Sequence, residues 1–373
     1  MRPPLYAVLG GCGAMGRVAV RDVFTFARGA RILVADYNEA GARAYATSFR
    51  SARVRGAWAD ASDAADLARR LRGATVVLNC TQHHFNLSVM KAALSAGCHY
   101  VDLGGLFTWT RKQLKLAAAF RRAKRVAILG VGGSPGVTNV LARMAADRLE
   151  RVDDIRVRSC WYDPAARPAD FSFAFSPQTV MEELTLPAFA YRDNRLVRIP
   201  PRTAWERRAF PKPFGRVWCL ATRHSEVATL RDSFRAKGCR GCDFMLGYDR
   251  AFVREFERRL AAGWTLADFK PLVASRRTPR DVELLRVEVV GRAGGRKRTI
   301  VADCVARAKP SWHASSGDID TGCPPSIVAQ MIASGLISEP GVHAPENVIP
   351  VAPFARELRR RGMRVTVREI LTR

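Results

Sequence analysis

Apolar residues arrive in short unbroken runs along the first third of the chain, and between the runs they recur at spacings of three and four. Residues 5–10 (LYAVLG) form the first run, and Ala14 to Phe26 then carries apolar positions at helical spacing. A short apolar run bounded by turn residues reads as a buried strand, and the longer periodic stretch as a helix packed by one face. The alternation continues with strands over 30–37 (ARILVADY), 52–58 (ARVRGAW), 74–80 (ATVVLNC), 98–104 (CHYVDLG) and 125–132 (RVAILGVG). Helices are expected between them over 39–49, 62–73, 86–97 and 111–123, with Ser62 and Asp66 marking the start of the third helix. Strands separated by single helices pair in parallel through right-handed crossovers. The expectation is therefore a doubly wound α/β domain.

Past Leu149 the pattern changes, because strand-like stretches now follow one another: 153–162, 187–200, 215–222, 242–248, 281–291 and 297–308. Asp193-Asn194 suits the bend of a hairpin, and GRAGGRK (291–297) a second turn. One helix, 250–263, interrupts them. This predicts a second, α+β domain containing a mixed sheet. From Ser316 the pattern is helical again at 325–335 and 354–362. The expected division is 1–135, 136–315 and a helical C-terminal segment 316–373.

The formal net charge is +27, carried by 52 arginines against 9 lysines. The basic residues are spread over the whole chain without a basic tail or interleaved aromatic platform, so nucleic acid is not the expected partner. No apolar run approaches the ~18 residues of a membrane span, and no leader is visible, which places the expected protein in the cytoplasm, off the membrane. A homo-oligomer is expected. The nine cysteines read as reduced core residues; Cys239 and Cys242 form a lone C-x-x-C without the second pair a zinc ribbon needs. His83 and His84 are adjacent, point different ways and lack a matching carboxylate spacing, so no metal site is expected.

Gly11, Gly13 and Gly16 satisfy G-x-G-x-x-G between a strand and a helix, and Asp36 follows about 20 residues later at the end of the second strand. In that context Gly11 would make the tight turn, Gly13 would let a pyrophosphate approach, and Gly16 would let helix pack on strand. The helix amides, from Ala14 and Met15 onward, would face the phosphates. Asp36 suits a ribose hydroxyl and repels a 2'-phosphate, favouring NAD, with NADP as the alternative that Arg43 leaves open; Tyr37 and Asn38 do not reverse this. Ligands lie beyond the carboxyl ends of parallel strands, which places Asp60, Asn79, Cys80 and Thr81 beside the cofactor. Asp60 reads equally as a helix cap.

Asp102, beyond the fifth strand, could hold an amine or take a proton, or it could satisfy loop amides. Ser134, Pro135 and Gly136 precede a helix whose N-terminus could hold a substrate carboxylate, or they could form a plain crossing. In RHSEVATL, Arg223 suits a carboxylate, while His224 and Glu226 suit an amine or proton transfer.

Seven stretches occur in order: VLGGCGAMG, YVDLGG, GVGGSPGVTNVLA, FSFAFSPQTVMEELTLPAFAYRDN, FPKPFGRV, RHSEVATL and TGCPPSIVAQMIASG. Together they resemble the saccharopine dehydrogenase-like family, and within it the lysine 6-dehydrogenase type. The resemblance implies a bilobal enzyme in which an NAD(P)-linked Rossmann domain faces a substrate domain, with the C-terminal helices returning to the first lobe. It implies hydride transfer at a carbon bearing an amine, in a small amino-acid substrate such as lysine. A saccharopine or carboxynorspermidine-type reductase and a non-catalytic NAD-binding protein are the alternatives. The C-x-x-C pair and the arginine load depart from the family pattern.

Overall fold

A computed structural model of the chain describes residues 3–165, 171, 176–272 and 280–370. The quoted stretch 171–194 therefore lies partly outside the described residues. In the first region, strands β1 (Leu5–Leu9), β2 (Arg31–Asp36), β3 (Val54–Trp58), β4 (Val76–Asn79), β5 (His99–Asp102) and β6 (Val126–Ile128) form the sheet. They alternate with α1 (Ala14–Phe26), α2 (Glu39–Ser48), α3 (Ala64–Arg70), α4 (Asn86–Ala96), α5 (Leu106–Leu114) and α6 (Ala117–Arg122). All pairs are parallel in the order β3-β2-β1-β4-β5-β6, so the direction of winding reverses between β1 and β4. Apolar runs suit this sheet because both faces are covered; Ala7, Leu9, Val77, Tyr100 and Leu129 share one core with Met90 and Phe120 from the helices.

Two local expectations are corrected. Asp63, not Ser62, caps α3, its carboxylate accepting from the amides of Ala65 and Asp66, while the Ser62 hydroxyl turns to Asp60. The charged acceptor at the positive helix end wins. The single helix expected over 111–123 is two, α5 and α6, with a break at Lys115–Leu116.

Helix α7 (Val137–Ala146) crosses the boundary between two compact units, residues 1–143 with 318–363 and residues 144–317 with 364–373. The second unit contains β7 (Arg151–Tyr162), α8 (Pro177–Thr185), β8 (Ala188–Arg192), β9 (Arg195–Ile199), β10 (Trp205–Ala209) and β11 (Arg216–Ala221). Then follow α9 (Leu230–Ser233), β12 (Gly241–Gly247), α10 (Arg250–Ala261), α11 (Leu266–Phe269), β13 (Val282–Ala293) and β14 (Arg296–Arg307). Asp193 and Asn194 both take positive φ in the β8–β9 hairpin, matching the twist of its strands.

The C-terminal stretch comprises α12 (Ser316–Ala333), β15 (Gly341–His343), α13 (Pro345–Val348), α14 (Val351–Arg360) and β16 (Arg364–Ile370). The tail, expected as a helical segment, thus also contains two strands. β15 extends the parallel sheet beside β6, and β16 pairs with β14 in the second unit. The second sheet runs β10-β11-β12-β7-β13-β14-β16, with β12–β7 parallel and the other pairs antiparallel, and β8–β9 attached to β12. β16 escapes the pattern because an edge strand with four of its seven residues exposed and none buried carries no apolar run. Within the first unit, Arg361 at the end of α14 pairs with buried Asp22 of α1 at 2.6 and 2.9 Å, and Ser326 of α12 donates to the same carboxylate at 2.6 Å. Such a buried pair is costly to break, so it pins the tail to α1.

All nine cysteines are free thiols; Cys239 and Cys242 are buried, and burial raises both pKa values. No helix among the described residues is long and apolar enough to cross a membrane.

Candidate functional site

The glycine turn is built from four positions rather than three. Gly10 takes φ +67°, and a Cβ there would lie 2.9 Å from the Cys80 carbonyl oxygen, so this residue makes the tight turn expected of Gly11. Gly11 is needed instead for packing, with its Cβ position 2.8 Å from Val34 Cγ1. A Cβ on Gly16 would sit 2.0 Å from the Gly10 carbonyl oxygen, which is close helix-on-strand contact. Gly13 has only that oxygen near it, at 3.3 Å, and its other side is open. As N-cap of α1 it makes no side-chain cap, and the first turn contains no acidic residue. The leading amides of α1 at Ala14 and Met15 are thus not engaged by a cap, and the site fits a pyrophosphate.

Both oxygens of Asp36 are oriented: one accepts from the Cys12 amide at 3.1 Å and the other from the Asn38 amide at 3.0 Å. Arg43, the residue that could have favoured a phosphate, is paired with Glu39 at 2.6 Å. Asp60 accepts from the amide and hydroxyl of Ser62, which lowers its pKa, so it is a turn residue and leaves the cap to Asp63.

Beyond β4, β5 and β6 a closed polar network ties the loops together. Asn79 Oδ1 accepts from the Thr81 amide and hydroxyl, and its amide donates to Asn86 at 2.9 Å. Asn86 in turn donates to the Gly104 carbonyl. Asp102 is buried and accepts from Gln113 (2.6 Å), Gly130 N–H (2.7 Å), Tyr100 hydroxyl (2.8 Å) and Gly104 N–H (2.9 Å). Burial nonetheless raises its pKa against these four donors. Of the two readings of Asp102, this geometry is that of a carboxylate satisfying its own loops.

The turn at Ser134, Pro135 and Gly136 also looks inward. The amides of Gly136, Val137 and Thr138 donate to Asn139 Oδ1 and to the carbonyls of Gly132 and Gly133. These three amides already have acceptors within the chain and are not free for a substrate carboxylate. His83 packs edge-on against Trp109 and His84 lies over Phe85.

The second unit gathers a buried acid–base cluster. His224 lies on Phe244, ring centroids 3.8 Å apart and 10° from parallel, and is 8% exposed. Its Nδ1 hydrogen-bonds to fully buried Glu226, and its Nε2 stands 4.0 Å from Glu183 Oε1. Burial opposes the imidazolium, but the charge and hydrogen bond of Glu226, with Glu183, outweigh it and raise the pKa. Glu183 is also buried and accepts from the Tyr248 hydroxyl at 2.7 Å. Burial pushes its pKa up to about 7, against the pull of His224 and that hydrogen bond. Arg223 is half-buried, donates to the Pro187 carbonyl at 2.9 Å and stacks over Phe189; burial and Arg198 lower its pKa.

Glu183 and Tyr248 were not among the residues singled out in the sequence. The signal for Glu183 was available: on α8 it shares the inward face with Val180 and Leu184, where a charge is out of place. Tyr248 carried none, since a tyrosine ending an apolar strand is ordinary core.

Residues 7–128 match the saccharopine dehydrogenase NADP binding domain and residues 132–363 the saccharopine dehydrogenase C-terminal domain. A carboxynorspermidine synthase from Vibrio cholerae is 24% identical over 332 residues, covering 79% of this chain and 78% of that protein. A carboxyaminopropylagmatine dehydrogenase from Synechocystis is 23% identical over 273 residues, covering 69% and 66%. Among solved structures, apo saccharopine dehydrogenase (L-Glu forming) from Saccharomyces cerevisiae superposes with a TM-score of 0.77 at 16% identity, over 98% of this chain and all of that one. Homospermidine synthase from Legionella pneumophila, in complex with NAD, gives 0.73 at 11% identity, over 98% and 92%. At these identities the two structures speak for the fold.

Proposed function

This chain belongs to the saccharopine dehydrogenase family of NAD(P)-binding oxidoreductases, and from that membership we propose that it moves hydride at a carbon–nitrogen bond of a carboxylated amine. One observation carries the reading: a buried imidazole set between two buried carboxylates, Glu226 on Nδ1 and Glu183 facing Nε2. NAD(P), when bound, supplies the hydride acceptor or donor. Glu226 fixes the proton on Nδ1, leaving Nε2 to give or take a proton at the substrate nitrogen. Glu183, with a pKa near 7, can carry the same proton on either side of neutrality. Arg223 is the proposed contact for the substrate carboxylate. Asp102 and the Ser134–Gly136 turn are assigned to holding the ends of β5 and β6 and the start of α7. Asp36 is proposed to select NAD over NADP.

The names of the two relatives support reductive joining of an aldehyde and an amine into a carboxylated secondary amine. The narrower lysine reading, oxidation of the side-chain amine to a semialdehyde, rests on RHSEVATL and TGCPPSIVAQMIASG and uses the same groups. Following NADH formation with lysine, and NADH or NADPH oxidation with an amino-acid semialdehyde plus a diamine, separates the two. Turnover is expected in the second assay; turnover with lysine alone would move the assignment to deamination. Failure of both, in a protein that binds NAD, would overturn the reading.

A further inference from the structure

One polar group beside this cluster is unexplained by it. Thr222 follows β11 directly and stands two residues before His224; it is fully buried, and its hydroxyl has no hydrogen-bond partner among the described residues. Buried hydroxyls are nearly always bonded, because leaving one unpaired forfeits its hydration with nothing in return. Register places this hydroxyl. Ala221, the last residue of β11, lies opposite Met245 of β12; one further step of the same register would set Thr222 opposite Phe244, on the other sheet face from Ala221 and Met245. Phe244 is the residue on which His224 stacks, and Tyr248, the donor to Glu183, shares its face by the same alternation.

A second feature points the same way. The 4.0 Å gap between His224 Nε2 and Glu183 Oε1 is too long for a direct hydrogen bond. A cationic amine carries two or three N–H donors. Glu183 and His224 alone leave such a donor set incompletely matched, and Thr222 adds a neutral acceptor on the same face.

We propose that Thr222 is a substrate-contacting residue that determines specificity for an amine, its Oγ accepting an N–H hydrogen bond that forms only when the substrate nitrogen is seated. The inference rests on the amine-handling role proposed for His224 and Glu183. It makes an unusual combination of demands, because a hydroxyl that bonds nothing in the free protein can be removed without loss of stability.

The test compares wild type, Thr222→Val, Thr222→Ser and His224→Gln by thermal shift and ligand titration with lysine and with putrescine, each in the presence of NAD. The valine variant should melt at or above the wild-type temperature without ligand, yet bind the amine about tenfold or more weakly. Serine should restore binding. A valine variant that melts lower and binds the amine as wild type does would show a structural hydroxyl and overturn the inference. An amine that needs His224 but binds equally to the valine variant would defeat the Thr222 inference alone. If neither amine binds wild type, the amine reading of the site falls and this inference falls with it.

Discussion

Replacing Glu183 by glutamine isolates the consequence of burying a carboxylate beside His224. The residue is 2% exposed, and burial lifts its pKa from an ordinary 4.5 to about 7 even though His224 and Tyr248 pull it down. Between those two values the folded protein holds a proton that the unfolded chain has released. Stability therefore falls as pH rises from about 4.5 to about 7 and stays low above it. That interval, at about 1.4 kcal/mol per pH unit, amounts to about 3 kcal/mol. His224 adds a slope of the same sign, since its raised pKa gives stability that is full below 6.5 and lost as pH rises through the folded value. Glutamine keeps the shape and an acceptor for Tyr248, removes the titration, and takes away one of the two carboxylates that raise the His224 pKa. Chemical denaturation at pH 5 and pH 8, read on a signal from the second unit, should show wild type losing about 3 kcal/mol more than Glu183→Gln over that interval. The variant should be the more stable protein at pH 8 and the slower enzyme at every pH. Parallel pH–stability curves would refute the argument, because they would mean that no proton is held there.

Asp36→Ala should weaken NAD binding about tenfold or more and narrow its advantage over NADP, measured by nicotinamide fluorescence titration; an unaltered ratio would remove Asp36 from cofactor selection. Gly16→Ala puts a methyl where the Gly10 carbonyl oxygen is 2.0 Å away. It should cost about 1–3 kcal/mol and abolish the thermal stabilisation by NAD that wild type shows, whereas a normal NAD shift would contradict the assigned packing. Asp102→Ala strips the acceptor from four donors and should destabilise by about 3 kcal/mol or more. A stable Asp102→Ala protein with a collapsed rate constant would instead restore its proton-transfer reading.

Much of the parallel unit was legible because its strands are buried on both faces. A run such as Val76–Asn79, wholly buried, has no alternative to being a central strand, and the glycine turn between β1 and α1 announces itself by steric need. β15 was invisible for the opposite reason, since three residues carry no period. β16 was missed because its largely exposed edge position selects no apolar pattern.

The candidate site divides along the same line. Gly13, Gly16 and Asp36, the proposed cofactor residues, fall within one β–α–β unit, so their spacing alone singles them out. Asp102 has the right position for chemistry, and only its four partners, drawn from β5, α5 and two loops, show that its lone pairs are already taken. His224 and Glu226 were visible as polar residues after a strand. The partners around them, Glu183 of α8 and Tyr248 just past β12, stand 65 residues apart in the chain and are brought within hydrogen-bond reach of each other only by the fold. Composition and periodicity determined the class of fold and the glycine turn, because burial and backbone sterics are written residue by residue. Which charges are buried together, and therefore which pKa values move, was decided only by the tertiary structure, because desolvation and charge pairing depend on distance in space.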